Sequence, residues 1–232
     1  MIVVGVDGCK GGWVAAEWDT KKGTLGLSVH KTFAEFMATS SFLKFKAVGV
    51  DIPIGLTNGP RRCDIEARKV LYCRRSSVFP APCADLVDST DYRRVNAESK
   101  ERYKKGISKQ AFGIFPKVAE INLLLSPELR QRVVEVHPEI SFWAMNGSRE
   151  VCPAKHFEPG RAARLNLLRA NLDIGEEGWE KVEAGISGAK LDDVLDAIAA
   201  AWSARRWVNG SSNHFPREAQ PRTGDLSAVI IY

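Results

Sequence analysis

Two short apolar runs, each closed by an aspartate, limit most sharply what this chain can fold into. Ile2-Val3-Val4-Gly5-Val6 ends in Asp7, and Ala47-Val48-Gly49-Val50 ends in Asp51. The first is β-branched and reads as a strand. The second is continuously apolar, as expected of a strand buried on both faces by parallel pairing. Between them, Gly8-Cys9-Lys10-Gly11-Gly12 suits a hairpin turn, and residues 13–18 and 24–31 read as two further strands of an antiparallel meander. Phe33, Phe36, Met37 and Leu43 follow helical spacing, which predicts a helix over 32–43.

Beyond the second run, Ile52-Pro53-Ile54-Gly55 breaks the strand, and Pro80 and Pro82 interrupt the helical stretches that follow. Residues 116–125 read as a helix, and 132–137 as a strand stopped by Pro138 and Glu139. Helices are expected over 160–171 (Ala163, Leu165, Leu167 and Leu168 giving the apolar face), 176–185 and 192–207, with a closing strand over 226–232. The longest of these sets Ala197, Ala200, Ala201 and Trp202 on its apolar side. The order predicts an α/β fold with a mixed five-stranded sheet, three strands antiparallel and the rest parallel, and helices on both faces. Right-handed crossovers would place strands one, four and five parallel, with their C-terminal ends along one edge, where ligands of open α/β sheets gather. Residues 1–232 are read as one domain, without repeats or low-complexity linkers.

Composition narrows the class. With 44% hydrophobic and 26% charged residues the chain is not of the disordered type. No run approaches the ~18 apolar residues of a membrane span, and the first residues lack the basic and longer apolar regions of a signal peptide. A cytoplasmic protein is expected. Cys9, Cys63, Cys73, Cys83 and Cys152 form no C-x-x-C pair, so unpaired thiols are expected rather than structural zinc. The net charge of +5 is unevenly spread. Residues 56–115 hold 13 of the 33 basic residues but 7 of the 28 acidic ones, a net +6 against −1 for the rest. This basic, helix-rich segment is read as an insertion after the fourth strand. It would either attract a polyanion, nucleic acid first, or serve solubility. Its Tyr72, Phe79, Tyr92 and Tyr103 would stack on bases or form a small core of their own.

Asp7 and Asp51 carry the chemistry. Adjacent parallel strands lie ~4.8 Å apart, so two carboxylates at neighbouring strand ends can share a metal ion. Glu139, two residues beyond the fifth strand, and Glu135 within it could approach the same edge. Asp193 and Asp196 lie three apart and project from one helix face. Crowded carboxylates repel unless neutralised, and hard oxygen ligands favour Mg²⁺ or Mn²⁺. Two such ions ~3.5–4 Å apart suit in-line attack of water on a phosphodiester. Plainer roles compete. A strand-end Asp also hydrogen-bonds a turn, Asp192 suits an N-cap, and Asp193 a first helical turn; capping does not account for Asp196.

These residues resemble a known family. The strand order, the two strand-end aspartates and Asp193-Val194-Leu195-Asp196-Ala197-Ile198-Ala199 resemble the RNase H-like fold, the last motif looking like the D-x-x-D-A-x-A helix of RuvC-type Holliday-junction resolvases. Val4-Gly5-Val6-Asp7-Gly8-Cys9-Lys10-Gly11-Gly12-Trp13, Asp51-Ile52-Pro53-Ile54-Gly55-Leu56, Arg74-Arg75-Ser76-Ser77-Val78-Phe79-Pro80-Ala81-Pro82 and Glu135-Val136-His137-Pro138-Glu139 resemble, more closely, the domain-of-unknown-function family numbered 429, whose members are labelled predicted nucleases with an RNase H fold. The resemblance spans essentially the whole chain. It implies a metal-dependent nuclease with Asp7, Asp51, Asp193 and Asp196 as metal ligands and Glu139, with Glu135, beside them. Lys10, Arg62, Arg74, Ser76, Ser77 and Lys117 are the candidate phosphate contacts, each with a solvated surface role as the alternative. The insertion departs from minimal RNase H-like nucleases, so their substrate preference does not transfer.

Two other classes compete. A sugar-kinase or actin-like ATPase would use the Asp-Gly turn to hold phosphate, and at this length would have to act as a homodimer. A nucleic-acid-binding protein with a silent site is the third. There is no Walker A or G-x-G-x-x-G sequence, and His30, His137, His156 and His214 lie in no nucleophile or zinc motif. His137 could assist proton transfer or serve as a structural hydrogen-bonding group.

Overall fold

The glycine-rich turn makes the hairpin expected of it. The computed structural model describes residues 1–151, 153–155, 157–218 and 228–232. In it β1 (Ile2–Cys9), β2 (Gly12–Asp19) and β3 (Thr24–His30) pair antiparallel in succession. β4 (Val48–Val50) then lies parallel to β1, and β5 (Val133–Glu135) parallel to β4. The five-stranded order is β3-β2-β1-β4-β5, the mixed α/β sheet expected from the sequence.

Both faces are covered. Val4, Val6, Trp13, Ala15, Val48 and Val50 pack against α1 (Phe33–Met37) and α5 (Phe115–Leu124). Val3, Val14, Ala16, Trp18 and Val134 face the other way, onto α7 (Glu158–Asn171), α8 (Glu176–Ala184) and α9 (Leu191–Val208). The basic segment contributes α2 (Arg62–Val70), α3 (Tyr92–Tyr103) and the short α4 (Lys109–Gly113) between β4 and α5. No helix among the described residues is long and apolar enough to cross a membrane.

Several expectations need correction. The helix over 32–43 stops at Met37, followed by a 3₁₀ turn over Phe42–Lys44. Thr39 donates its hydroxyl to the Phe36 carbonyl at 2.8 Å, a local bond that competes with helix continuation, and Leu43 is exposed rather than part of an apolar stripe. Pro138 ends a strand but also opens α6 (Pro138–Met145), because a proline needs no amide donor in the first helical turn. The C-terminal strand shortens to β7 (Ile230–Ile231), which pairs antiparallel with an unforeseen β6 (His214–Phe215). Cys9, Cys63 and Cys83 are free thiols, but Cys73 is disulfide-bonded, so not all thiols are unpaired; sequence spacing does not say which sulfurs the fold brings together. Cys152, His156, Leu226 and Ser227 lie outside the described residues.

Candidate metal centre

Register brings the first two acids together. Val6 stands beside Val50, and Val50 beside Glu135, across three parallel strands. One residue on, the Asp51 amide donates to the Val6 carbonyl at 2.9 Å, so Asp7 and Asp51 emerge side by side at the C-terminal edge. Side chains alternate along a strand, so both aspartates share the face of Gly5 and Gly49. That face receives α9 at very short range. A Cβ on Gly5 would lie 1.8 Å from the Ala197 carbonyl oxygen, and one on Gly49 2.5 Å from that of Ala200. Only glycines permit this approach, and it carries Asp196, the residue before Ala197, into the edge.

Carboxylate oxygens of Asp7, Asp51 and Asp196 consequently lie within 4.8 Å of one another. Burial pushes the Asp7 carboxyl well above its usual range, with the charges of Asp51 and Asp196 adding to the rise. Burial likewise lifts Asp51 to about 7 and Asp196 to about 6, partly opposed by Lys155. The Lys155 amine forms an ion pair with Asp196. Burial alone would lower it, but the charges of Asp196, Asp7 and Asp51 outweigh that effect and keep it an ammonium. Without a metal these raised values keep part of the cluster protonated. With all three carboxylates ionised, the one ammonium would leave two negative charges, which a single divalent cation would balance, and the all-oxygen donor set suits Mg²⁺ or Mn²⁺.

The other proposed acids go elsewhere. Asp193 Oδ2 accepts from the Lys190 amide at 2.9 Å, closing the first turn of α9, and stays outside the converging trio. Asp192 does not cap the helix. It lines the cleft instead, and its buried Oδ1 has no hydrogen-bond partner among the described residues. Glu139 is held by Arg164 at 2.7 and 2.8 Å and by Arg74 at 3.0 Å. Burial raises its carboxyl, but the two guanidiniums prevail and hold it below the ordinary value. Glu135 accepts both arms of the Arg61 guanidinium, at 2.6 and 2.8 Å, together with the Ile54 amide at 2.7 Å. Arg61 also grips Asp64 at 2.6 and 3.1 Å, making a buried network that ties α2 to β5.

The cleft over the carboxylates has a volume of about 460 Å³. Arg74, Ser76, Ser77 and Lys117 line it; Lys10 and Arg62 do not. Lys10 is exposed on the hairpin turn, and Arg62 points away to Glu218 at 2.7 Å. Lys117 Nζ reaches the Gly12 carbonyl at 2.5 Å over the Trp13 ring. His137 also lines the cleft. Burial lowers its pKa, its Nε2 faces the Ser77 carbonyl at 3.3 Å, and its buried Nδ1 has no partner among the described residues. A ring nitrogen facing a carbonyl must donate, which makes Nδ1 the open acceptor of a neutral imidazole.

Residues 5–221 match the family model described as "Protein of unknown function (DUF429)". The chain belongs to this family. Neither the curated proteins nor the solved structures yield a significant match. In the structure, Lys155, Arg164 and Asp192 join the cleft and its supporting contacts without having been named as site residues from sequence. Lys155 and Arg164 carry no motif, and Asp192 was visible only as a capping residue.

Proposed function

We propose that this chain is a Mg²⁺- or Mn²⁺-dependent phosphodiester hydrolase acting on nucleic acid. The convergence of Asp7, Asp51 and Asp196 from three distant parts of the chain carries the reading, because three carboxylates brought this close beside a single ammonium ionise together only when a further cation joins them, and otherwise hold protons. Asp7, Asp51 and Asp196 would hold the ion. Asp192, with an open carboxylate oxygen in the same cleft, is better placed than Asp193 to serve a second one. Bound divalent ions supply an activated water and charge stabilisation at the leaving oxygen.

The remaining roles belong to the chain. Arg74, itself anchored on Glu139, would neutralise a non-bridging phosphate oxygen, and Ser76 would donate a hydrogen bond beside it, while Ser77 gives its hydroxyl proton to the Arg74 carbonyl at 2.6 Å and so holds that loop in place. Lys117, which also lines the cleft, would supply further positive charge. His137 Nδ1 is available to take a proton from a nearby water. The ATPase reading is less well supported, since the Gly8 amide that would hold phosphate donates to Asp7 Oδ1 at 2.7 Å.

Incubation with single-stranded, duplex, hybrid and branched DNA and RNA, with Mg²⁺, with Mn²⁺ and with EDTA, tests the proposal. Cleavage that needs the metal and drops at least about a hundredfold in Asp51→Asn is expected. ATP turnover without cleavage would favour the kinase-like class, and salt-sensitive binding without either reaction a silent binding protein.

A further inference from the structure

We infer that a second cavity, formed by the basic segment, binds a single unstacked nucleobase of the strand whose phosphate lies over the carboxylates. This inference rests on the phosphodiesterase reading and adds the form of its substrate. The cavity has a volume of about 540 Å³, within the ~300–1,000 Å³ usual for small-molecule sites. It opens beside the acidic cleft, and Arg61, Asp64, Ser76, Phe79, Ser108 and Ala111 line both. A ligand can therefore occupy the two at once. The shared wall is stiff, since Arg61 and Asp64 belong to the buried network closed on Glu135.

The lining fits a flat apolar body attached to an anion. Ile65, Phe79 and Ile107 contribute apolar surface, and Ile65 remains 43% exposed, whereas Cys63 and Ala67 of the same helix are buried in an apolar cluster. Arg68, Lys69 and Lys105 lie around the same cavity. Elsewhere in the segment Arg62, Arg94 and Arg102 are matched by carboxylates, but these three form no ion pair among the described residues. Arg68 instead donates to the Val78 carbonyl, which leaves its charge unbalanced. Apolar walls with surplus positive charge complement a base and its flanking phosphates. Of the six aromatic residues in the segment, Tyr92 and Phe115 pack on Phe112, and Tyr72 is exposed and lines neither cavity. Tyr103 lines the second cavity with its hydroxyl donated to the Asn58 carbonyl, whereas Phe79 lines both cavities. A base within a duplex cannot enter such a recess without leaving its stack, so single-stranded, frayed or mismatched substrates are selected.

Fluorescence anisotropy in EDTA tests this without cleavage. The probes are short labelled oligoadenylates in the deoxy and ribo series, abasic strands of equal length, and blunt duplexes. Base-bearing single strands should bind at least about fivefold tighter than abasic ones, as expected for one stacked base. Phe79→Ala should bring that ratio close to one. Ile65→Gln, at an exposed position, should do the same without risk to folding. Equal binding of abasic and base-bearing strands, duplex binding as tight as single-strand binding, or a ratio preserved in both variants would each overturn the inference. Because no metal is present, a base preference can persist even if hydrolysis is never found. Conversely, metal-dependent cleavage with no base preference removes this inference alone.

Discussion

Lys155 is the residue that most changes the picture of the site. Its ammonium pairs with Asp196 and shares the field of Asp7 and Asp51, as a tethered cation beside the place a divalent ion would take. Like charges a few ångströms apart repel by about 4 kcal/mol at an effective dielectric of 20. Lys155→Met should accordingly tighten Mn²⁺ binding by about tenfold or more, measured by calorimetry. Weaker binding would mean that the lysine organises the carboxylates instead. The acids themselves give a pH signature. Asp51 and Asp196 titrate near 7 and 6 in the fold, against roughly 3.9 in an unfolded chain. Protons thus favour the folded state, and this stabilisation is complete below about pH 4 and is lost as pH rises through 6 and 7. Thermal melts of the metal-free protein should show that loss. Added Mg²⁺ should raise the melting temperature more at pH 8 than at pH 5, since it requires the ionised carboxylates; an equal rise at both values would count against binding at this trio. None of this was legible from residue types alone. Lys155 lies in a loop without a motif, and Glu139 gave no sign that two arginines would claim it.

At the scale of elements, α9 decides the geometry. Its position depends on Gly5 and Gly49, each two residues before an aspartate, where any side chain would strike the helix backbone. Gly49→Ala should destabilise the protein by at least about 1–3 kcal/mol in urea titrations, the usual cost of overpacking a core. It should also weaken metal affinity, because displacing α9 withdraws Asp196. The sequence carried this signal in the shared Val-Gly-Val-Asp tetrapeptides of β1 and β4. The phase of α9 was harder to read. From Val194 to Ala204 every residue is buried, so no polar side marks which acid faces the edge. Spacing names both Asp193 and Asp196 as ligands, with a first-turn role as the alternative for Asp193 alone, and the helix start at Leu191 gives Asp193 that role, accepting from the Lys190 amide. The basic segment is fastened by a different device. Arg61→Leu would leave Glu135 and Asp64 buried without their cation, and should cost about 3–5 kcal/mol in the same titrations.

The whole molecule divides into a scaffold that the sequence announces and a site that it only outlines. Strands with unbroken apolar character, a glycine hairpin and parallel crossovers determine the sheet because each is a local pattern with few alternatives. Convergence at the edge follows from register, which explains why Asp7 and Asp51 were readable as a pair. The partners that set their charge state come from loops and helices whose relative positions depend on packing across the fold. Calorimetric titration with Mn²⁺ of the wild type and of Asp7→Asn, Asp51→Asn, Asp196→Asn and Asp193→Asn addresses the trio most directly. Saturable binding should be lost in the first three variants and kept in Asp193→Asn. No binding to the wild type, or a loss in Asp193→Asn equal to that in the others, would contradict a metal centre built by Asp7, Asp51 and Asp196.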